Sequence, residues 1–467
     1  MSTLAIVISL MLLIFFAYRG ISVLLLAPLM AALAVTLSGD VAFLLPIYTD
    51  TFMGALGDYV IQFFPLFLLG ALFGQLMADS GAAQAIANGI VNKLGTQHVV
   101  LTVVIACAIL TYGGVSLFVV AFAIYPISRE LFRRANAPKR LIPGAIALGS
   151  FTFTMTALPG TPAIQNAIPI PYFETNSFAA PGLGIIAGLI MLGLGTTYLQ
   201  SRVKQAAAKG EGYGHHTERE AEQTDTDNTD ASATSMPMAI ALIPLAMVIG
   251  LNALLTYGVF PSLDLSFISD EFEDVSPSGQ TGLWSILIAL LSASAWLIIS
   301  QWKRWANLKG TVNNGCFGSL LPIFNTASEV GYGAVIASLA GFALIRDAVL
   351  NVSPGNPLIS EAMAMSVLAG ITGSSSGGLS IALETLGSEY LTMAQEAGID
   401  PELMHRVATI SAGGMDTLPH SGAVITLLTI CGLTHRQSYG HVAMVTIVLP
   451  ITALISVITL GTLFGSF

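Results

Sequence analysis

Three ionisable side chains stand inside long apolar runs, where such groups are costly and therefore mark chemistry. Glu329 lies in Asn325-Thr-Ala-Ser-Glu-Val330, and Asp416 and His420 lie in Met415-Asp-Thr-Leu-Pro-His-Ser-Gly-Ala-Val424. A carboxyl group in a low-dielectric site loses the solvation of its charge and takes up a proton more readily. Glu329 or Asp416 is therefore expected to carry a proton. His420 is expected to carry one too, or to donate to a bound anion. The competing role for each is a structural hydrogen bond inside a helix bundle.

Around these residues lie four short stretches built to leave regular helix. Two are glycine turns, Thr111-Tyr-Gly-Gly-Val-Ser116 and Thr372-Gly-Ser-Ser-Ser-Gly-Gly378. Two are proline breaks, Leu158-Pro-Gly-Thr-Pro162 and Leu418-Pro-His-Ser-Gly422. Proline removes a helix donor and clashes with the preceding turn, so the chain unwinds there. Unwinding frees carbonyls for a cation and helix N-termini for an anion. The candidate binding groups are thus Gly113, Gly114 and Ser116 at the first turn, and Ser374, Ser375 and Ser376 at the second. Thr161, Gln165 and Asn166 belong to the first break, and Thr417, His420 and Ser421 to the second. Asn325 and Thr326 precede Glu329. Close helix packing through small residues is the alternative use of such glycines. With no Lys or Arg in the four stretches, an anion would be held by hydroxyls, amides and helix ends, which favours a small anion of low charge.

The elements that must position these groups are membrane helices. The chain has 467 residues, of which 9% are charged and 54% hydrophobic, and its mean hydropathy is +0.77. Soluble proteins carry about 25% charged residues. Continuous apolar runs exclude the alternating pattern of a β-barrel. Seventeen basic against 27 acidic residues leave no basic patch for nucleic acid. Cys107, Cys316 and Cys431 are widely spaced and apolar in context, so neither a disulfide framework nor a metal site is expected. No motif of a metalloprotease, a serine hydrolase or a nucleotide-binding loop is present, which argues against an enzyme or an ATP-driven pump.

A polar stretch, residues 201–235, reads as a linker between two halves, 1–200 and 236–467; its His215–His216 pair lacks further metal ligands. The halves match at an offset of about 260 residues: the two proline breaks align, as do the two glycine turns. Internal repeats of this kind are common in secondary transporters. The loop 129–140 is basic and its counterpart 389–406 acidic, so the positive-inside rule turns the halves opposite ways and places Arg346 and Arg406 outside. The runs 99–127 and 359–390 then enter and return as hairpins, and the spans 141–172 and 407–433 are broken. The expected topology is an all-α protein of ten spans and two re-entrant hairpins, both termini outside. A channel is disfavoured because this arrangement supplies no continuous pore.

Leu110-Thr-Tyr-Gly-Gly-Val-Ser-Leu-Phe118, Phe151-Thr-Phe-Thr-Met-Thr-Ala-Leu-Pro-Gly-Thr-Pro162, Asn325-Thr-Ala-Ser-Glu-Val-Gly331 and Gly414-Met-Asp-Thr-Leu-Pro-His-Ser-Gly422 resemble the motifs of the gluconate permease (GntP) family, within the ion transporter superfamily. The likeness is nearest to members that handle 3-hydroxybutyrate or other short hydroxy acids. It implies a proton-coupled symporter of a small organic anion in the inner membrane, without a bound cofactor. It also implies a homodimer with scaffold and transport domains that move as an elevator. Related sodium-coupled carriers place Ser-Asn-Thr triplets at the hairpin tips, where this chain has Gly-Gly-Val-Ser and Gly-Ser-Ser-Ser. Sodium coupling is the alternative.

Overall fold

The protein is described by a computed structural model covering residues 2–19, 21–95, 98–214, 236–265, 267–268, 277–353, 356–419 and 421–467. Every regular element among the described residues is a helix. Several start at signals written in the chain. Proline occupies the first turn of Pro181–Ala208, Pro357–Thr372 and Pro401–Gly413, and Asn356, Ser374 and Asp400 accept from backbone N–H groups as N-caps. Proline costs nothing there, because the first-turn N–H has no partner in the helix.

The outer surface is apolar. Ile61 is 78% exposed, Ile299 73% and Leu45 72%. Surface of this kind is stable in hydrocarbon and not in water. Among the described residues, five helices are long and apolar enough to cross a bilayer, or six if Leu308–Ser338 is joined to Phe342–Leu350 across a 100° bend. The ten expected spans are therefore not each a single long helix. Val23–Ser38 has 16 residues, below the roughly 20 of a full span.

The helices of the second half repeat those of the first near the same 260-residue offset. Met53–Asp79 corresponds to Leu308–Ser338, Val99–Tyr112 to Pro357–Thr372, and Ile142–Ser150 to Pro401–Gly413. Met53–Asp79 and Leu308–Ser338 pack side by side at the centre. Phe52 meets Gly331, Leu72 meets Gly315, and the Thr311 hydroxyl donates to Asp79 at 2.6 Å. These pairings run in opposite directions along the two helices, so the two lie antiparallel.

Each half contains a helix–turn–helix. Val99–Tyr112 turns at Gly113–Ser116 into Leu117–Arg134, and Pro357–Thr372 turns at Gly373–Ser374 into Ser375–Ala397. Gly114 has φ +97° and Gly373 φ +66°, a region that costs a side-chain-bearing residue and suits glycine. Each half also contains an interrupted helix. The first unwinds at 157–163, between short turns Phe153–Thr156 and Ile164–Ala167. The second ends at Gly413 and resumes at Gly422.

Two expectations about loops need correction. Pro181–Ala208 stays helical into the polar stretch, so the first eight residues of 201–235 are helix. Arg406 is not in an outer loop. Asp400 and Pro401 start a helix before it, and Arg406 is fully buried. His215 and His216 lie outside the described residues.

The polar stretch is tied at its start to the basic loop. Glu211 takes two hydrogen bonds from Arg140, at 2.8 and 2.9 Å, and the Tyr213 N–H donates to Asn136. Arg140 holds the Glu211 carboxyl below the ordinary glutamate range.

Candidate functional site

The tip of the second hairpin collects groups from both halves. Ser374 caps the helix Ser375–Ala397: its hydroxyl accepts from the Gly377 N–H at 3.1 Å and pairs with the Ser376 hydroxyl at 3.2 Å. These two serines are spent on shaping the tip. Ser375 points elsewhere. It receives a hydrogen bond from the Gln165 amide at 2.9 Å, across 210 residues of chain, and lies beside the Asp416 carboxyl. Gly377, one turn into the helix, lies against the Glu329 carboxyl so closely that a β-carbon would overlap Glu329 Oε2. One helix end therefore touches Gln165 of the first break and Asp416 of the second at Ser375, and Glu329 of Leu308–Ser338 at Gly377.

Several oxygens here lack partners. Gln165 Oε1, Asn325 Oδ1, Glu329 Oε2 and Asp416 Oδ1 are all buried with no hydrogen-bond partner among the described residues. Asn325 sits one helical turn before Glu329 and shares its face. Buried polar atoms are normally bonded, so such orphans are candidate positions for a water, a proton, an ion or a ligand. Tyr59, from the other central helix, accepts from Ser380 at 3.3 Å and feels the charge of Glu329.

The first hairpin is packed on the first break. The Tyr112 hydroxyl donates to the Pro159 carbonyl at 2.7 Å. Gly113 and Gly114 let Leu245 and Pro162 approach where a β-carbon would clash. Ser116 begins the second arm, half-buried and without a side-chain cap bond. The second hairpin meets the second break in the same manner: Ser366 donates to the Ser411 carbonyl at 3.1 Å, and Gly370 faces Met415 and Leu418. The two breaks touch where Gly413 meets Thr156.

The other expected residues divide. Thr161 is buried, and its carbonyl accepts from Asn166. Asn166 is spent inside the protein: its amide donates to Thr161 and Ser177, and its oxygen accepts from Arg406 at 3.0 Å. Thr326 bonds back to the Pro322 carbonyl, and Thr417 pairs with Thr446 at 2.7 Å. Ser421 is buried at the start of Gly422–Ile430. His420 lies outside the described residues.

Two buried charged residues escaped the sequence reading. Arg406 donates to Ala179, to the Thr156 carbonyl at 3.2 Å and to Asn166, so a buried cation underpins the first break. The Asp-Pro pair at 400–401 was the signal, because it starts a helix early enough to bury residue 406. Glu361, in the first arm of the second hairpin, is also fully buried. An acid within an apolar run was its signal.

The profile of the GntP family permeases matches residues 1–463. The chain belongs to this family. It is 44% identical over 473 residues to an uncharacterized transporter, YxjC, of Bacillus subtilis, covering all of both chains. It is 41% identical to a gluconate permease of the same organism over 81 residues, 17% of each chain. To the high-affinity gluconate transporter of Escherichia coli it is 34% identical over 146 residues, 30% of this chain and 31% of that one. Two solved transporters share its fold. Neisseria gonorrhoeae MtrF gives a TM-score of 0.55 at 12% identity, over 92% of this chain and 85% of MtrF. Alcanivorax borkumensis YdaH gives 0.52 at 15% identity, over 89% and 87%. The permease is a membrane transporter, and its Gln165 bonds the first break to the second hairpin tip.

Proposed function

We propose that this permease is a proton-coupled symporter that carries a small hydroxycarboxylate, such as 3-hydroxybutyrate or gluconate, into the cell across the inner membrane. The reading is carried by the second hairpin tip, where Ser375 meets Gln165 and Asp416 and Gly377 meets Glu329. Hydroxyl and amide groups suit a hydroxy acid: Ser375, Gln165 and Asn325 offer both donors and acceptors. Arg406 supplies a fixed positive charge beneath the first break, favouring an anion over a cation.

Glu329 and Asp416 are the proton carriers of this scheme. An unpaired charge buried at either place is costly, so proton uptake and anion binding support each other. Moving a monoanion inward against a negative potential costs about 2.3 kcal/mol per 100 mV, and a proton carried with it cancels that cost. The likeness to gluconate permeases supports the substrate class. A homodimer with elevator movement of the hairpins and broken helices completes the proposal. Sodium coupling is the second reading, supported by the same orphan oxygens, which would suit a hard cation as well as a proton.

Uptake of labelled 3-hydroxybutyrate into proteoliposomes tests this. An imposed pH gradient without sodium is expected to drive accumulation, with competition by unlabelled gluconate and lactate and none by citrate. Accumulation that requires a sodium gradient would transfer the carrier role from protons to sodium. Absence of uptake and of competition would defeat the hydroxy-acid assignment.

A further inference from the structure

Glu361 lies in the first arm of the second hairpin, one turn in from Pro357. It is 0% exposed, and neither carboxyl oxygen has a hydrogen-bond partner among the described residues. The residue beside it behaves differently: the Ser360 hydroxyl donates to the Val349 carbonyl at 2.7 Å and pairs with the Tyr390 hydroxyl at 3.2 Å. Polar groups in this corner therefore find partners when partners are in reach.

We infer that Glu361 is a further proton-binding carboxyl of the transport cycle, one that exchanges its proton as the second hairpin changes position. If ionised in this arrangement, it is an unpaired charge in a closed interior, which is costly. If protonated, it still holds a hydroxyl donor that nothing accepts. A packing role alone would be met by methionine, the type found at 363 and 365 on the same helix. An acid with no partner here is explained by a partner in another arrangement of the hairpin. The arm packs against Phe342–Leu350, Ser375–Ala397 and Pro401–Gly413, and any movement of the hairpin changes at least one of these surfaces. The first carries Arg346 and Asp347, the second Glu384, Glu389, Tyr390 and Glu396, and the third Glu402, His405 and Arg406. Of these, Tyr390 is close enough to feel the charge of Glu361.

Glu361 is separate from the junction at the tip. Thr372 lies eleven residues further along the helix, about 16.5 Å at 1.5 Å per residue. Its inference rests on the symport reading, and the experiment keeps the two apart.

Proton movement driven by a 3-hydroxybutyrate or gluconate gradient is measured in proteoliposomes with a pH dye, alongside labelled uptake, for wild type, Glu361→Gln and Glu361→Asp. Wild type is expected to move protons with substrate. Glu361→Gln, which keeps size and shape, is expected to move fewer protons per substrate while still exchanging labelled for unlabelled substrate, and Glu361→Asp to restore the ratio. Carbodiimide labelling of wild type is expected to mark Glu361 to an extent that changes with substrate. This needs no variant to fold. A wild type that moves no protons overturns the symport reading and the inference with it. A wild type that moves them, with Glu361→Gln unchanged in ratio and pH profile or with labelling of Glu361 insensitive to substrate, overturns the role of Glu361 and leaves symport standing.

Discussion

The Glu329 carboxyl rests on the bare backbone of Gly377, and no side chain larger than hydrogen fits between them. One residue belongs to a central helix and the other to the second hairpin. The position of the hairpin tip thereby sets what surrounds the carboxyl. Gly377→Ala is expected to displace Glu329 and lower uptake by about tenfold or more, the factor that 1.4 kcal/mol produces. Glu329→Gln keeps the volume and is expected to abolish accumulation driven by a pH gradient while sparing exchange. Both are read by labelled uptake at matched protein levels. Full activity in Gly377→Ala would show that the contact is incidental.

Gln165 and Ser375 join the two halves through one hydrogen bond. Groups that act through a shared bond give non-additive effects. Gln165→Leu and Ser375→Ala are each expected to weaken uptake, and the double variant to be no worse than the more severe single one. Additive losses in a double-mutant cycle on substrate affinity would separate the two roles.

Arg406 is a different kind of residue. Its guanidinium satisfies the carbonyls of Thr156 and Ala179 and the Asn166 oxygen, all buried. Arg406→Leu strips the Ala179 carbonyl of its side-chain donor and leaves Thr156 with Thr409 alone and Asn166 with His405 alone, and a buried acceptor left unmet costs about 1–3 kcal/mol. A lower melting temperature of the detergent-solubilised protein is expected, well below that of Gln165→Leu. An unchanged melting temperature would show that the first break does not depend on it.

The clasp between Arg140 and Glu211 predicts a pH effect outside the membrane. The Glu211 carboxyl lies below its ordinary value in the folded protein, first through the hydrogen bond from Arg140. A depressed folded value means that the contribution is present above the unfolded value and is lost as pH falls through the folded one. The pair is partly exposed, so solvent and salt screen it and its contribution is small. A spin label at Lys209 is expected to become more mobile as pH drops below the ordinary glutamate range, and likewise in high salt at neutral pH. Mobility indifferent to both would remove the clasp.

Much of the fold was legible because it is local. Apolar runs, Gly113-Gly114, Gly373, Pro159 and Pro162 act on their own neighbours, so the helices, the two turns and the two interruptions follow from composition and stereochemistry. The match at a 260-residue offset likewise needs only comparison of the chain with itself. The same local logic contained the Asp400-Pro401 helix start that puts Arg406 inside.

What surrounds each polar group was decided by tertiary structure. Asn166 and Gln165 are adjacent amides in one short turn, yet Asn166 is consumed by Arg406, Thr161 and Ser177 while Gln165 reaches the second hairpin and keeps a free oxygen. Nothing in their spacing distinguishes them. Ser375 differs from Ser374 and Ser376 in the same way, through a partner 210 residues distant. The chain alone determined which groups are polar and where helix stops. Which of them are satisfied depends on contacts between segments far apart in sequence, and a hydrogen bond exists only where both ends meet.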